Sequence, residues 1–189
     1  MRFIVVDGLD GSGKDTHAKF VKERYLSKGE TVIIRSHPSE DSVFGRMTKE
    51  SLLKRGKINH IKAAVFYFLD VINSLIRYYG KAENVIFVRY LGGVLYLPLP
   101  LAKILYRLFS AILPTSNYMF FLDAEPEVCL KRIEIRDERE MFENLEDFRN
   151  VREKAKYLLK NWHIVRTDRP IHETRAEIER ILDKIDGLR

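Results

Sequence analysis

The stretch that decides the fold is RFIVVDGLDGSGKDTHAKF, residues 2–20. An apolar run is followed by the glycine-rich segment from Gly8 to Lys14, and a helix-like segment comes next. This order of strand, loop and helix matches the phosphate-binding pattern G-x-x-x-x-G-K-[ST] until its last position, where Asp15 replaces a hydroxyl residue. The sequence therefore poses a question: what does a carboxylate do beside the phosphate-gripping lysine?

The glycine-rich loop predicts a nucleotide site. Glycines let backbone amides curl around phosphate oxygens, and the N-terminus of the following helix adds a positive dipole end. Lys14 is expected to reach the outer phosphates, while a glycine-rich turn without a ligand is the alternative interpretation. The predicted ATP-binding residues are Gly8, Leu9, Asp10, Gly11, Ser12, Gly13, Lys14, Asp15 and Thr16.

Strands and helices are predicted to alternate along the rest of the chain. Apolar runs rich in β-branched and aromatic residues predict strands over 2–7, 31–36, 84–90, 118–123 and 162–167. Amphipathic segments predict helices over 14–27, 42–54, 61–79, 101–113, 126–136, 143–159 and 171–185. Such alternation favours the α/β class, with a doubly wound, five-stranded parallel sheet flanked by helices.

Ligands of such sheets bind at the carboxyl ends of the strands. The residues that follow each strand are therefore the candidate site. They are the loop 8–16, the segment 36–38, Arg89, Tyr90 and Asp123.

Composition limits the classes of function. A chain of 189 residues with 46% hydrophobic residues suits one domain, 1–189, and the longest apolar region, 94–113, carries Pro98, Pro100, Lys103 and Arg107, so we expect no membrane span. The net charge of +6 would suit a polyanionic partner, but the basic residues are interleaved with acidic ones. We therefore expect no nucleic-acid partner. A lone, apolar-flanked cysteine, Cys129, predicts a buried thiol and fits a cytoplasmic protein.

The segment 6–16, VDGLDGSGKDT, resembles the loop of the thymidylate kinase family, which reads like V-D-G-L-D-G-S-G-K-T-T. Similar stretches are VIFVRY at 85–90, LPTSNYMFFLDAEPEVCLKRIEIRD at 113–137 and FENLEDFRNVREKAKYL at 142–158. The resemblance implies a P-loop nucleoside monophosphate kinase that transfers the γ-phosphoryl of ATP, with Mg²⁺, to a nucleoside monophosphate, dTMP in this family. The loop also resembles the G-x-G-K-G-T of adenylate kinase-like enzymes, which implies that the hydroxyl is dispensable where water holds Mg²⁺.

The resemblance assigns the catalytic residues. It implies that Lys14 binds the phosphates of the donor ATP and that Arg89 binds the acceptor phosphate. It also implies that Arg136 is the first residue of an arginine-bearing lid around 136–142. Arg132 and Arg139 belong either to this machinery or to ion pairs on a solvated face.

The acceptor nucleoside has its own implied contacts. The resemblance places Asp10 near the sugar hydroxyl, Phe66 under the base, and Tyr90 beside Arg89. Asp10 as a turn residue and Phe66 as a core residue are the alternatives. Asp70 stands where the family tends to carry a base-contacting arginine, and a carboxylate would prefer hydrogen-bond donors on the base edge.

Further departures surround the phosphate site. Ser36 and His37 replace an arginine–acid pair before Pro38, and Val88 replaces an aspartate associated with Mg²⁺. One hypothesis connects the changes: Asp15 supplies the metal-side carboxylate that Val88 lacks. The alternative is that Asp15 stabilises the first turn of its helix through the helix dipole.

Two other functions remain open from the sequence. One is a P-loop kinase for another nucleotide or a small metabolite, and the other is a nucleotide-binding protein that has lost transfer. The apolar segment 91–113 indicates either a homodimer interface or a thick monomer core.

Overall fold

The computed structural model describes residues 1–54, 57–134 and 144–187. Five strands form one fully parallel sheet in the order β2-β3-β1-β4-β5. The strands are β1 (Arg2–Gly8), β2 (Val32–Ser36), β3 (Asn84–Val88), β4 (Tyr118–Asp123) and β5 (His163–Arg166). The predicted five-stranded parallel sheet is confirmed.

The seven predicted helices are present. They are α1 (Lys14–Leu26), α2 (Val43–Leu52), α3 (Lys57–Tyr78), α4 (Leu99–Ile112), α5 (Pro126–Ile133), α6 (Leu145–Leu158) and α7 (Ile171–Gly187). Within the ranges given above, no helix is both long enough and apolar enough to cross a bilayer.

Two apolar layers sandwich the sheet, because alternate side chains of each strand point to opposite faces. On one face, Phe87 and Phe121 belong to a cluster with buried residues of α3, α5 and α6. On the other, Val6 and Val88 belong to a cluster with buried residues of α1 and α7. Both faces are thus covered, as the unbroken apolar runs of the strands predict. Cys129 is fully buried, as predicted.

The structure corrects two of the predicted boundaries and adds one short helix. β3 ends at Val88 rather than Tyr90, since Arg89 leaves the extended region with a φ of 59°. α4 begins at Leu99, because a proline in the first helical turn loses no hydrogen bond. A short 3-10 helix, Gly92–Tyr96, was not predicted. The predicted end of α5 at 136 and start of α6 at 143 lie outside the described residues.

Candidate active site

A cavity of about 1290 Å³ opens at the carboxyl edge of the sheet. Its polar end is formed by residues that follow β1, β2 and β3, including Asp10, His37 and Arg89. Its apolar end lies among side chains of α3 and α4, such as Phe68, Leu105 and Phe109. The cavity therefore joins a charged end to an apolar end.

The predicted ATP loop connects β1 to α1. Gly13 takes a φ of 86° immediately before α1, so the unpaired amides of the first helical turn face the loop. Lys14 is buried, and its Nζ donates to the carbonyl oxygens of Gly8 at 2.9 Å and Leu9 at 2.7 Å. Burial is the largest cause that lowers the pKa of Lys14, and the Arg89 charge adds to it. The lysine is thus held inside the loop, at the start of the helix.

The remaining loop residues differ in exposure. Leu9 is fully buried in the core, so its contribution to a ligand is limited to its backbone. Ser12 is buried, and its hydroxyl has no hydrogen-bond partner within the described ranges. Thr16 is exposed in the first turn of α1.

Asp10 is the point at which two cations meet. Its Oδ1 accepts from Lys14 Nζ at 3.1 Å and from Arg89 Nη2 at 2.7 Å. Burial disfavours the charged carboxylate, but the charges of Lys14 and Arg89 outweigh burial and lower the pKa of Asp10 well below its usual range. Asp10 therefore stays ionised and links the ATP loop to the end of β3.

Arg89 is held in place through its backbone. Asp7 Oδ2 accepts from the amides of Tyr90 at 2.9 Å and Gly92 at 2.8 Å, and His37 Nδ1 donates to the Arg89 carbonyl oxygen at 3.0 Å. Tyr90 lines the cavity, and its ring packs edge-on against Phe3 and Phe87 in the core. The predicted pair 89–90 thus combines an arginine at the cavity with an aromatic anchor.

Asp15 lies at the mouth of the cavity with its side chain 57% exposed. Its Oδ1 accepts from Ser36 Oγ at 3.1 Å, and its Oδ2 lies 3.9 Å from Arg89 Nη1. Two departures from the family pattern are therefore hydrogen-bonded to each other. Val88 is fully buried in the layer against α1 and α7, so its side chain belongs to the core.

The structure gives the two predicted base-contacting residues, Phe66 and Asp70, different surroundings. Asp70 is fully buried, and its two oxygens accept from Ser39 Oγ at 2.6 Å and from the Ser39 amide at 2.7 Å. Phe66 is partly buried and is not among the residues that line the cavity in the described part of the chain, whereas Tyr67 and Phe68 are. Phe68 stacks on Phe109 with ring centroids 4.4 Å apart. Geometry thus gives Asp70 a loop-fixing contact and favours the neighbours of Phe66 as the aromatic wall.

Arg132 joins two loops at the edge of the sheet. Its Nη1 donates to the Gly11 carbonyl oxygen at 3.2 Å, and its Nη2 donates to the Thr167 carbonyl oxygen at 2.8 Å. This contact with the ATP loop differs from the solvated ion pair that was the alternative. Arg136, Arg139 and the predicted lid at 136–142 lie outside the described residues.

Sequence reasoning missed two groups near the site. Asp7 holds the Arg89 backbone together with His37, which lies in the predicted segment 36–38, and the signal for Asp7 was a carboxylate at the end of an apolar strand. Arg152 of α6 donates from Nε to Asp123 Oδ1 at 2.6 Å and from Nη2 to Glu125 Oε1 at 2.9 Å. This ion pair fixes the end of β4, but α6 is distant in sequence and carries no local signal for it.

Comparison with known proteins agrees with this geometry. A family model described as thymidylate kinase matches residues 6–178. A probable thymidylate kinase of Archaeoglobus fulgidus is 26% identical over 194 aligned residues, which cover 98% of this chain and 97% of that protein. A probable thymidylate kinase of Pyrobaculum calidifontis is 28% identical over 195 residues, which cover 96% of each protein.

A solved structure shares the fold. The thymidylate kinase of Candida albicans superposes with a TM-score of 0.77 at 16% identity, and the match covers 98% of this chain and 92% of that chain. The P-loop, the parallel sheet and a family match that spans most of the sequence lead to one conclusion: this chain belongs to the thymidylate kinase family.

Proposed function

We infer that the protein is an ATP-dependent nucleoside monophosphate kinase that transfers the γ-phosphoryl group of ATP to dTMP. One observation supports the assignment most directly: Lys14 of the ATP loop and Arg89 of the cavity both bond Asp10 Oδ1. Phosphoryl transfer depends on holding donor and acceptor phosphates in line and neutralising their charge. Two cations beside one carboxylate are placed for that task.

The residues divide the work between donor and acceptor. Amides of the loop 8–16 and Lys14 hold the ATP phosphates, and Arg89 binds the acceptor phosphate as a charged donor of parallel hydrogen bonds. In this proposal Asp10 releases either cation to a phosphate and accepts from a sugar hydroxyl, which its contacts with Lys14 and Arg89 support. Arg136 adds positive charge in this proposal, and its substitution by Met should lower kcat more than the KM of dTMP.

The described residues fit Mg²⁺ as a partner of ATP. No group of three or more His, Cys, Asp or Glu side chains within these ranges is placed to hold a metal. Mg²⁺ commonly uses one or two carboxylates together with water and phosphate oxygens, and Asp15 and Ser36 offer such oxygen atoms at the cavity mouth. When bound, the ion neutralises charge on the transferring phosphoryl group.

The identity of the base rests on the apolar end of the cavity. Tyr67 and Phe68 offer ring surface, and Asp70 is already bonded to Ser39. Because the family's arginine is replaced by a carboxylate that is bonded to Ser39, another nucleotide or a small metabolite is the second candidate acceptor. A nucleotide-binding protein without transfer is the third possibility, since Val88 lacks a carboxylate.

A panel assay distinguishes these candidates. ADP release is coupled to NADH oxidation with ATP, Mg²⁺ and each of dTMP, dUMP, CMP, UMP, AMP and GMP. The proposal expects the highest kcat/KM with dTMP. A higher value with another acceptor would transfer the assignment to that nucleotide, and ATP binding without turnover of any acceptor would favour the binding protein.

Assembly and location belong to the same proposal. Exposed apolar side chains cover α4 and part of α3; they are Ile58, Ile61, Val65, Leu101, Ile104, Leu108 and Ile112. An apolar face of this kind fits the interface of a homodimer. A cytoplasmic location fits the proposed substrates, since both are available there. Sedimentation equilibrium of the protein and of its Ile104→Glu variant tests the dimer: the variant should be monomeric, and a monomeric parent protein would contradict it.

A further inference from the structure

Arg89 adopts a backbone conformation that arginine avoids. Its φ of 59° is the one positive φ of a non-glycine residue in the described ranges. In the left-handed region the Cβ atom crowds the backbone, so the surrounding structure must hold such a residue there. The following contacts identify what holds it.

Asp7 fixes the chain after Arg89. This buried carboxylate accepts three backbone amides, from Gly8 at 3.0 Å, Tyr90 at 2.9 Å and Gly92 at 2.8 Å. A Cβ atom added at Gly92 would lie 2.2 Å from Asp7 Oδ1, so only glycine allows the approach. The turn of 89–92 is therefore wrapped around one carboxylate.

His37 fixes the carbonyl of Arg89 itself. Its ring is 1% exposed, and its Nδ1 lies 3.0 Å from that oxygen. Because a carbonyl only accepts, Nδ1 carries the proton. The His37 amide also donates to the Val88 carbonyl oxygen at 3.0 Å, and the Arg89 amide donates to the Val6 carbonyl oxygen at 3.1 Å. The peptide groups on both sides of Arg89 are thus fastened to β1 and to the loop after β2.

We propose that Asp7 and His37 are positioning residues that lock the backbone of Arg89 in the left-handed region and so aim its guanidinium group at the acceptor phosphate. The proposal rests on the role of Arg89 in the proposed function. Without the clamp, Arg89 relaxes to an ordinary φ, which swings its side chain away from Asp10 and the cavity. For His37 the loss is specific to the acceptor, because its hydrogen bonds go to the carbonyl oxygens of Arg89 and Val88 and not to the ATP loop. Asp7 also accepts from the Gly8 amide of the ATP loop, so its loss affects both substrates.

The first test separates acceptor from donor. His37→Phe retains a buried ring without the hydrogen bond, and Asp7→Asn retains shape but turns an amide group toward backbone N–H groups. Each variant should raise the KM of dTMP by on the order of 10- to 100-fold, because small misplacements of positioned groups have effects of this size. With His37→Phe, the KM of ATP should stay within about twofold.

Matched controls come from the opposite edge of the sheet. His163 Nε2 lies 2.9 Å from the Asn117 carbonyl oxygen, so His163→Phe removes the same type of bond away from the cavity. Asp186 is a mostly buried carboxylate that accepts from Arg2 Nε at 2.8 Å and Tyr118 Oη at 2.8 Å. Asp186→Asn should lower thermal stability without changing the KM of dTMP.

The decisive test is a double-mutant cycle with Arg89→Ala. If His37 acts through Arg89, His37→Phe should cause no further loss of kcat/KM for dTMP in the Arg89→Ala background. Losses that multiply in the double variant would overturn the proposal, because they would assign His37 an independent contact. Equal increases in the KM of ATP and dTMP would also overturn it.

A structural measurement keeps the proposal testable if the parent protein fails to phosphorylate dTMP. That result would reject the proposed function alone. The crystal structure of His37→Phe then decides the clamp: it should show Arg89 at a negative φ with its bond to Asp10 lost. An unchanged φ near 59° with the guanidinium still on Asp10 would reject the clamp.

Discussion

Two single residues that depart from the family pattern are carboxylates bonded to a serine of the site. Asp15 accepts from Ser36, and Asp70 accepts from Ser39, so each unexpected carboxylate has a nearby hydroxyl. A carboxylate has only acceptor oxygens, and a serine hydroxyl is a donor that fits it without adding charge. These substitutions therefore make sense as pairs rather than one at a time.

The first prediction concerns Asp15 and magnesium. Asp15→Ala should lower activity at limiting Mg²⁺ and raise the Mg²⁺ concentration for half-maximal activity by roughly threefold to tenfold, since a carboxylate ligand or water-binding group is lost. Asp15→Thr should restore part of the affinity through its hydroxyl. Glu23→Ala, at an exposed position of the same helix, serves as control. Unchanged activity and metal dependence in Asp15→Ala would limit Asp15 to the helix dipole.

The second prediction concerns Asp70. Asp70→Asn should destabilise the protein by about 1–3 kcal/mol, because a neutral amide replaces a carboxylate whose two hydrogen bonds to Ser39 are buried, and hydrogen bonds to a charged acceptor are the stronger ones. Ser39→Ala should cause little further loss of stability when it is combined with Asp70→Asn, since both changes affect the same hydrogen bond. Chemical denaturation of the parent protein, the single variants and the double variant measures these free energies of unfolding. If Asp70→Asn instead altered base preference without a stability loss, Asp70 would be a base contact, as the family alignment implies.

At the scale of elements, the loop 37–42 between β2 and α2 is held in place by contacts with both α2 and α3. A Cβ atom added at Gly45 of α2 would lie 1.9 Å from the Ser39 carbonyl oxygen, so the helix and the loop touch through backbone. Ser42 Oγ caps α2 by accepting from Phe44 N at 3.2 Å. Together with Asp70 of α3, these contacts define where the wall of the cavity stands.

The third prediction follows from this contact. Gly45→Ala should destabilise the protein by about 1–3 kcal/mol, which corresponds to roughly 2–12 °C in Tm for a chain of this length. The KM of dTMP should rise because the loop must shift. Gly187→Ala is the matched control, since its added Cβ would meet nothing within 4 Å. Equal Tm values for the two variants would contradict the close contact.

The elements also show how far sequence could lead. Buried strands and helices were predictable, because unbroken apolar runs and helical spacing depend on local sequence. The end of β3 at Val88 was not, since it depends on Asp7 and His37, which are distant in sequence from Arg89. The bond between Asp70 and Ser39 was missed for the same reason. Family resemblance supplied the candidate site residues, and only the tertiary structure shows the partners to which they bond.

At the scale of the whole molecule, the pH dependence of stability should reflect one buried histidine of α1. His17 is buried, and burial together with the charges of Arg175 and Arg132 lowers its pKa from 6.5 to about 4. The unfolded chain binds a proton below pH 6.5, while the folded protein resists it. The free energy of unfolding should therefore decrease, and the protein become less stable, as the pH drops from about 6.5 toward about 4.

The fourth prediction isolates this effect. His17→Gln should flatten the fall in Tm between pH 6.5 and 4.5, because glutamine does not titrate. His172→Gln, at an exposed position in α7, should keep the slope of the parent protein. Thermal scans across that pH range measure both. An identical slope in all three proteins would show that His17 does not titrate differently in the folded and unfolded states.

The central claim is that Lys14 and Arg89 hold a donor and an acceptor phosphate at one edge of the sheet. The most direct measurement follows the γ-phosphoryl group of labelled ATP in the presence of dTMP and Mg²⁺. We predict labelled dTDP with the parent protein and with Lys19→Met, an exposed control on α1, and a loss of at least about 100-fold with Lys14→Met. Label that stays on ATP, or equal transfer by Lys14→Met, would contradict the account.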